Sequence, residues 1–104
     1  MRKPKRGEVW IADLGMAAKT RPVVVLSIGA TIQDRAIVTA VPHTTRVRGT
    51  RFEVNIPTRF LEIGAFDIQG IAAVSEAKFI KRIGFLSAEQ QTLIDDKLRE
   101  WLGL

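Results

Sequence analysis

The sequence predicts a small, mainly β domain of five or six strands followed by one C-terminal α-helix. Three observations carry this reading. Alternating and β-branched apolar runs recur between Gly-, Pro- and Thr-rich breaks along the first 86 residues, and a helical period appears only at the end. A chain of 104 residues with 46% apolar side chains suffices for one core without staples. Closing the strands into a compact barrel would remove their exposed edges.

The elements follow in order. "RKPKR" (Arg2–Arg6) is a basic leader expected to fray, ahead of a single domain over residues 1–104 with residues 1–6 as flexible leader. "GEVWIADL" (Gly7–Leu14) alternates, with Val9, Ile11 and Leu14 set against Glu8, Trp10 and Asp13, and reads as a first strand. "GMAAKT" (Gly15–Thr20) connects it to "RPVVVLSI" (Arg21–Ile28), apolar on both faces and hence central and doubly buried. Pro22 lacks an N–H and must stand where no ladder bond is needed. "RAIVTAVP" (Arg35–Pro42) is another buried strand.

"RFEVNI" (Arg51–Ile56) turns Phe52, Val54 and Ile56 to one face, and "PTRFLEIG" after it is a single helical turn or a loop. "GIAAVSEA" (Gly70–Ala77) and "FIKRIGFL" (Phe79–Leu86) add two strands. Ser87 with Gln90 three residues on forms a capping box, and Leu93, Ile94, Leu98, Trp101 and Leu102 make the apolar stripe of a helix ended by Gly103.

Composition removes several classes of function. The chain has no cysteine and one histidine, which excludes disulfides, a thiol nucleophile and a multi-histidine metal centre within one chain. No apolar run approaches membrane-span length, so a cytoplasmic protein without metal or cofactor is expected. Charge is uneven. Residues 1–59 hold eleven Lys/Arg and four Asp/Glu (+7), whereas residues 60–104 hold five and seven (−2). A basic half suits either a nucleic-acid surface or a solubilising one.

Chemistry-bearing residues concentrate in two places. Arg21 stands where a short connection meets the most buried strand, which mounts a cation rigidly against a phosphate or simply keeps a strand end soluble. "PHTTRVRGTR" follows a buried strand, and in extended chain Thr44, Arg46 and Arg48 share a face. A hydroxyl beside two guanidiniums is a phosphate-binding surface; the plainer reading is a Thr/Arg-rich hairpin with Gly49 at the turn. His43 has the pKa of a general base, yet alternation points it away from Thr44.

The blocks "KRGEVWIADLG", "RPVVVLS" and "VPHTTRVRGTRFEV" together resemble the MazF/PemK family of toxins, mRNA endoribonucleases of type II toxin–antitoxin pairs. The resemblance runs from Lys5 to the final helix. It implies a small SH3-like antiparallel β-barrel with a C-terminal helix, a homodimer, and metal- and cofactor-free cleavage of single-stranded mRNA to 2′,3′-cyclic phosphate and 5′-hydroxyl ends. By position, Arg21 and Thr44 become the catalytic pair. Lys19, Thr20, Thr45, Arg46, Arg48 and Arg51 are then expected to bind RNA. The implied protein partner is an antitoxin with a flexible acidic segment.

Two departures accompany the resemblance. Many members have a longer, Gly-Ser-Glu-Gln-like loop before the "RP" block, where this chain has only "GMAAKT". Where many carry an Asp-Gln pair on a later strand, this chain has Ser75-Glu76, and Ala73 replaces an arginine found in some. Glu76 and His43 are accordingly the candidate helpers in proton transfer. The competing expectations are a non-catalytic toxin of the same fold, akin to gyrase poisons, and a catalytically impaired RNA-binding barrel.

Overall fold

A computed structural model describes residues 3–15 and 19–104. The connection "GMAAKT" thus lies partly outside the described residues, as do the first two residues of the leader. The described strands are β1 (Glu8–Asp13), β2 (Thr20–Val25), β3 (Ile37–Thr44), β4 (Glu53–Val54), β5 (Ala65–Asp67), β6 (Ala72–Ser75) and β7 (Phe79–Phe85), and helix α1 (Ala88–Leu102) follows them. All pairings are antiparallel in the order β4-β5-β3-β2-β1-β7, while β6 pairs the first half of β3. The sheet is barrel-like but open, because its run of pairings ends at β7 on one side and at the two-residue β4 on the other.

The centre of the sheet is buried on both faces, as the "VVV" run requires. Successive strand residues point to opposite sides. Val24 joins Val9, Val41, Phe66 and the helix residues Ile94 and Leu98 in one cluster. Val23 and Val25 join Trp10, Val38, Val74 and Phe79 in the other.

β1 is the strand its alternation predicts, and its first three residues are all buried. Trp10 packs edge-on against Phe79, with ring centroids 6.1 Å apart, and donates its indole N–H to Glu8 at 3.0 Å. The buried Glu8 carboxylate also accepts the Lys5 N–H at 2.8 Å and pairs with Arg82 at 3.3 Å. A buried carboxylate is tolerated when it is satisfied in this way. The same contacts hold the leader: Pro4 is buried, and Arg6 bonds the Leu26 carbonyl at 2.7 Å and the Asp95 carboxylate. From Pro4 onward the leader is therefore docked and not frayed.

Other boundaries shift. The stretch 51–56 buries Phe52 and Ile56 on the expected face, but only Glu53–Val54 pairs as strand. The 57–64 segment is loop, and β5 follows it, a strand too short to register as a pattern in the sequence.

At the helix, Ser87 Oγ accepts the Gln90 N–H at 3.2 Å while Gln90 Oε1 accepts that of Ser87 at 2.9 Å. Gly103 closes the helix at φ 72°. The buried face runs through Gln91, Ile94 and Leu98 to Trp101, whose ring meets Phe52 at 5.2 Å. Leu93 and Leu102, expected in that stripe, are half exposed because the 91-94-98-101 spacing turns them off the contact line. Among the described residues, no helix is long and apolar enough to cross a membrane.

Candidate active site

Strand register brings the two distant candidates together. β2 and β3 pair through Val25↔Ala40, Val24↔Val41 and Val23↔Pro42. Projected two residues further, this register sets Arg21 opposite Thr44. Pro22 and Pro42 each remove an N–H donor at this end of the two strands. Arg21 and Thr44 both line a cleft of about 590 Å³ and an adjoining polar cleft of about 340 Å³. Arg21 also faces a third, of about 530 Å³, beside Asp13, Asp67 and Lys78. Its mount is rigid, since β2 is bonded to β1 with Arg21 opposite Ala12.

Thr44 Oγ1 accepts the Arg46 N–H at 3.0 Å. Its own hydroxyl hydrogen is therefore directed elsewhere and available to donate. Thr44, Arg46 and Arg48 line the polar cleft together. Arg48 is positioned by Glu53, which accepts the N–H groups of Arg48 at 2.8 Å and Thr50 at 2.6 Å, around a turn with Gly49 at φ 78°. These bonds, with the Arg48 N–H first, hold the Glu53 carboxyl below its ordinary pKa.

His43 lines the large cleft with Arg21 and Thr44, but most of its side chain is packed away. It is 4% exposed and meets Phe66 edge-on at 5.1 Å. Burial lowers its pKa from the usual histidine value, opposed by the nearby Glu62 carboxylate. The ring is thus held neutral. Because the unfolded chain binds a proton more readily, this contribution to stability is fully present above about pH 6.5 and is lost as pH falls through the folded pKa. Thermal unfolding followed between pH 7.5 and 5 should show that loss, and His43→Leu should flatten the slope. An unchanged slope would place the buried charge elsewhere.

Lys19, Thr20, Thr45 and Arg46 line the large cleft with Arg21 and Thr44. Lys19 takes a left-handed backbone (φ 51°), held by bonds between Leu14 N–H and its carbonyl and between its own N–H and Gly15. Arg51 is placed on the helix side, over the Phe52 ring at 4.6 Å and 3.6 Å from Glu100. Glu76 opens a 3-10 turn whose N–H bonds the Ala36 carbonyl, at the end of β3 opposite Thr44. It does not join Arg21 and Thr44, because the sheet pairs β6 with the far half of β3.

Asp67 and Glu62 are acids at the site that the sequence did not single out. Asp67, on β5, lines both the polar cleft and the third cleft with Arg21, and Gln69 lines the polar one. Gly70 gives Asp67 room, since a Cβ there would stand 2.9 Å from its Oδ2. Glu62 lines the large cleft. The signal available was the pair Gly64 and Gly70 bracketing "AFDIQ". Among the described residues, no group of three or more His, Cys, Asp or Glu is placed to hold a metal ion.

A rigidly mounted guanidinium, a hydroxyl and two further arginines line an open groove on a barrel-like β domain, the residue types that phosphate recognition uses. The chain belongs to the PemK-like, MazF-like toxins of type II toxin–antitoxin systems, whose family model matches residues 5–102. It is 35% identical over 91 residues to the probable endoribonuclease MazF5 of Mycobacterium tuberculosis, spanning 81% of this chain and 79% of that protein. In fold it is similar to MazF in a MazE–MazF crystal structure from Deinococcus radiodurans (TM-score 0.84, 22% identity, 100% of this chain and 99% of that one). A mycobacterial endoribonuclease crystallised with its cognate antitoxin is likewise similar (TM-score 0.80, 25% identity, 100% and 97% covered).

Proposed function

We propose that this toxin is an endoribonuclease that cleaves single-stranded RNA at the Arg21–Thr44 groove, without metal. The endoribonuclease class follows from the family. The observation that supports it is that Arg21 and Thr44, far apart in the chain, line the same two clefts, with Thr44 Oγ1 accepting the Arg46 N–H.

In this route the substrate supplies its own nucleophile. The ribose 2′-oxygen attacks the adjacent phosphorus, the bond from phosphorus to the 5′-oxygen breaks, and a 2′,3′-cyclic phosphate forms. The 2′-proton leaves to a base, and the departing 5′-oxygen gains a proton to become a hydroxyl. The guanidinium stays charged at neutral pH, so Arg21 stabilises the charge that builds on the phosphorane oxygens and does not act as the base. Thr44 donates one hydrogen bond to the same oxygens. Asp67, beside Arg21, fits the orienting of the guanidinium. Arg46, Arg48 and Lys19 hold flanking phosphates, a contact that weakens with salt.

The same basic groove suits an antitoxin segment that is acidic and flexible, which would mask Arg21. The reading also includes a homodimer in the cytoplasm. Ile80 and Phe85, 57% and 69% exposed on the outermost strand β7, fit burial against a second copy.

The test is incubation with labelled single-stranded RNA in EDTA, followed by analysis of the product ends. Cyclic-phosphate and 5′-hydroxyl ends are expected from the native chain. Thr44→Val, which keeps shape and removes the hydroxyl, should slow cleavage by about 10²-fold, as loss of one transition-state donor does. Full-rate cleavage by Thr44→Val would remove Thr44 from the reaction, and RNA bound but uncut by the native chain would overturn the enzyme reading.

A further inference from the structure

The large cleft contains more than phosphate chemistry needs. Its floor is apolar, built by Ile11, Pro22, Phe60 and Ile83, and it opens beside Arg21 and Thr44. Phe60 is seated closely: a Cβ at Gly84 would stand 2.4 Å from its ring, so only glycine on β7 lets the aromatic lie against the strand. On the rim stand cations and a single carboxylate, Glu62. A carboxylate beside the expected path of a polyanion is unfavourable for backbone binding alone. It is useful if it receives N–H groups from something that sits on the floor.

We infer that this cleft is a nucleobase subsite next to the cleaved phosphate, and that Glu62 selects guanine there. The inference rests on the endoribonuclease reading and adds which base the site takes. The volume of about 590 Å³ is within the range that holds a small ligand. An apolar and aromatic floor accepts the face of any base, and discrimination then falls to the edges.

Guanine alone offers two adjacent N–H donors, N1 and N2, to a two-oxygen acceptor. Its O6 and N7 acceptors lie along the adjoining edge, and Lys19 and Arg46 line the same cleft as candidate donors to them. Adenine and cytosine set one amino group beside an acceptor nitrogen, which a second carboxylate oxygen repels. Uracil flanks its single N–H with two carbonyls. Glu62 is exposed, so its substitution should leave the core untouched. Its proximity to His43 through charge is consistent with a carboxylate turned toward this wall.

The experiment uses the full chain and paired single-stranded RNAs that differ only in guanine or adenine at the position flanking the cleaved phosphate. That position is first located by sequencing the 5′-hydroxyl ends from a random RNA pool. The native chain is expected to enrich guanine at one flanking position. Glu62→Gln should reduce the guanine-to-adenine ratio of kcat/KM by about tenfold or more, the discrimination carried by a good bidentate contact.

A structural role for Glu62 would lower both rates together and leave the ratio unchanged, which overturns the inference. Cleavage by the native chain without guanine enrichment overturns it too, while sparing the endoribonuclease reading. Absence of any cleavage by the native chain sinks both.

Discussion

Arg21→Ala should lower the rate of RNA cleavage by about 10³-fold or more while leaving the fold intact. The route has no protein nucleophile and no metal, so charge stabilisation at the phosphorane carries most of the barrier reduction. Loss of one preorganised donor of this kind costs about 10²–10³ in rate. Arg21 supplies both a donor and a full charge, and it lines three adjoining clefts, two of them with Thr44 and two with Asp67. Arg21→Lys should recover little, since an ammonium keeps the charge but loses the planar, two-pronged geometry. Binding of RNA measured by fluorescence anisotropy should weaken far less than kcat falls, because Arg46 and Arg48 remain. Equal losses in binding and rate would make Arg21 a grip residue and not a catalytic one.

The second large effect concerns stability. Gly64→Ala should destabilise the fold by about 3 kcal/mol, the upper range for overpacking a close contact. A Cβ at Gly64 would lie 2.1 Å from the Thr44 carbonyl oxygen and 2.8 Å from the His43 ring. The first contact is backbone and cannot swing aside. Relief would require β5 to move off the end of β3, where Ala65 pairs Thr44 and Phe66 pairs His43. For a domain of this size the melting temperature should fall by roughly 12–24 °C. Cleavage at low temperature should fall as well, because the moved strand is the one that pairs with Thr44 and carries Asp67. A melting temperature unchanged within a few degrees would show that the β3–β5 junction yields at little cost.

These two expectations mark how far the sequence could be read. The doubly buried β2, the final helix and its capping box were legible because each depends on local pattern alone. Arg21 and Thr44 stood out singly in the sequence, but their pairing came only through resemblance, since spacing does not join residues so far apart in the chain. β1 was legible as a strand, but the burial of Glu8 with three partners was not, because an isolated alternation cannot reveal a satisfied carboxylate.

Glu76 shows the complementary limit. Sequence put an acid near the end of a strand, and pairing of β6 with the first half of β3 carried it to the wrong end of the sheet. Asp67 and Glu62 passed unremarked because one sits in a three-residue strand and the other in a loop, too short for any period to mark. Side chains that meet across a groove leave no trace in the linear order of the chain unless the register is known.

The most direct test of the central claim concerns the substrate's own hydroxyl. A single-stranded RNA carrying two copies of the preferred cleavage site is prepared, with one 2′-deoxynucleotide immediately 5′ of the scissile phosphate in one copy. It is then incubated with the protein in EDTA. Cleavage should stop at the deoxy-substituted phosphate and continue at the all-ribose copy, leaving a 2′,3′-cyclic phosphate there. Cleavage at both copies would contradict the account, because no 2′-oxygen would then be available to attack and another nucleophile would have to act at Arg21 and Thr44.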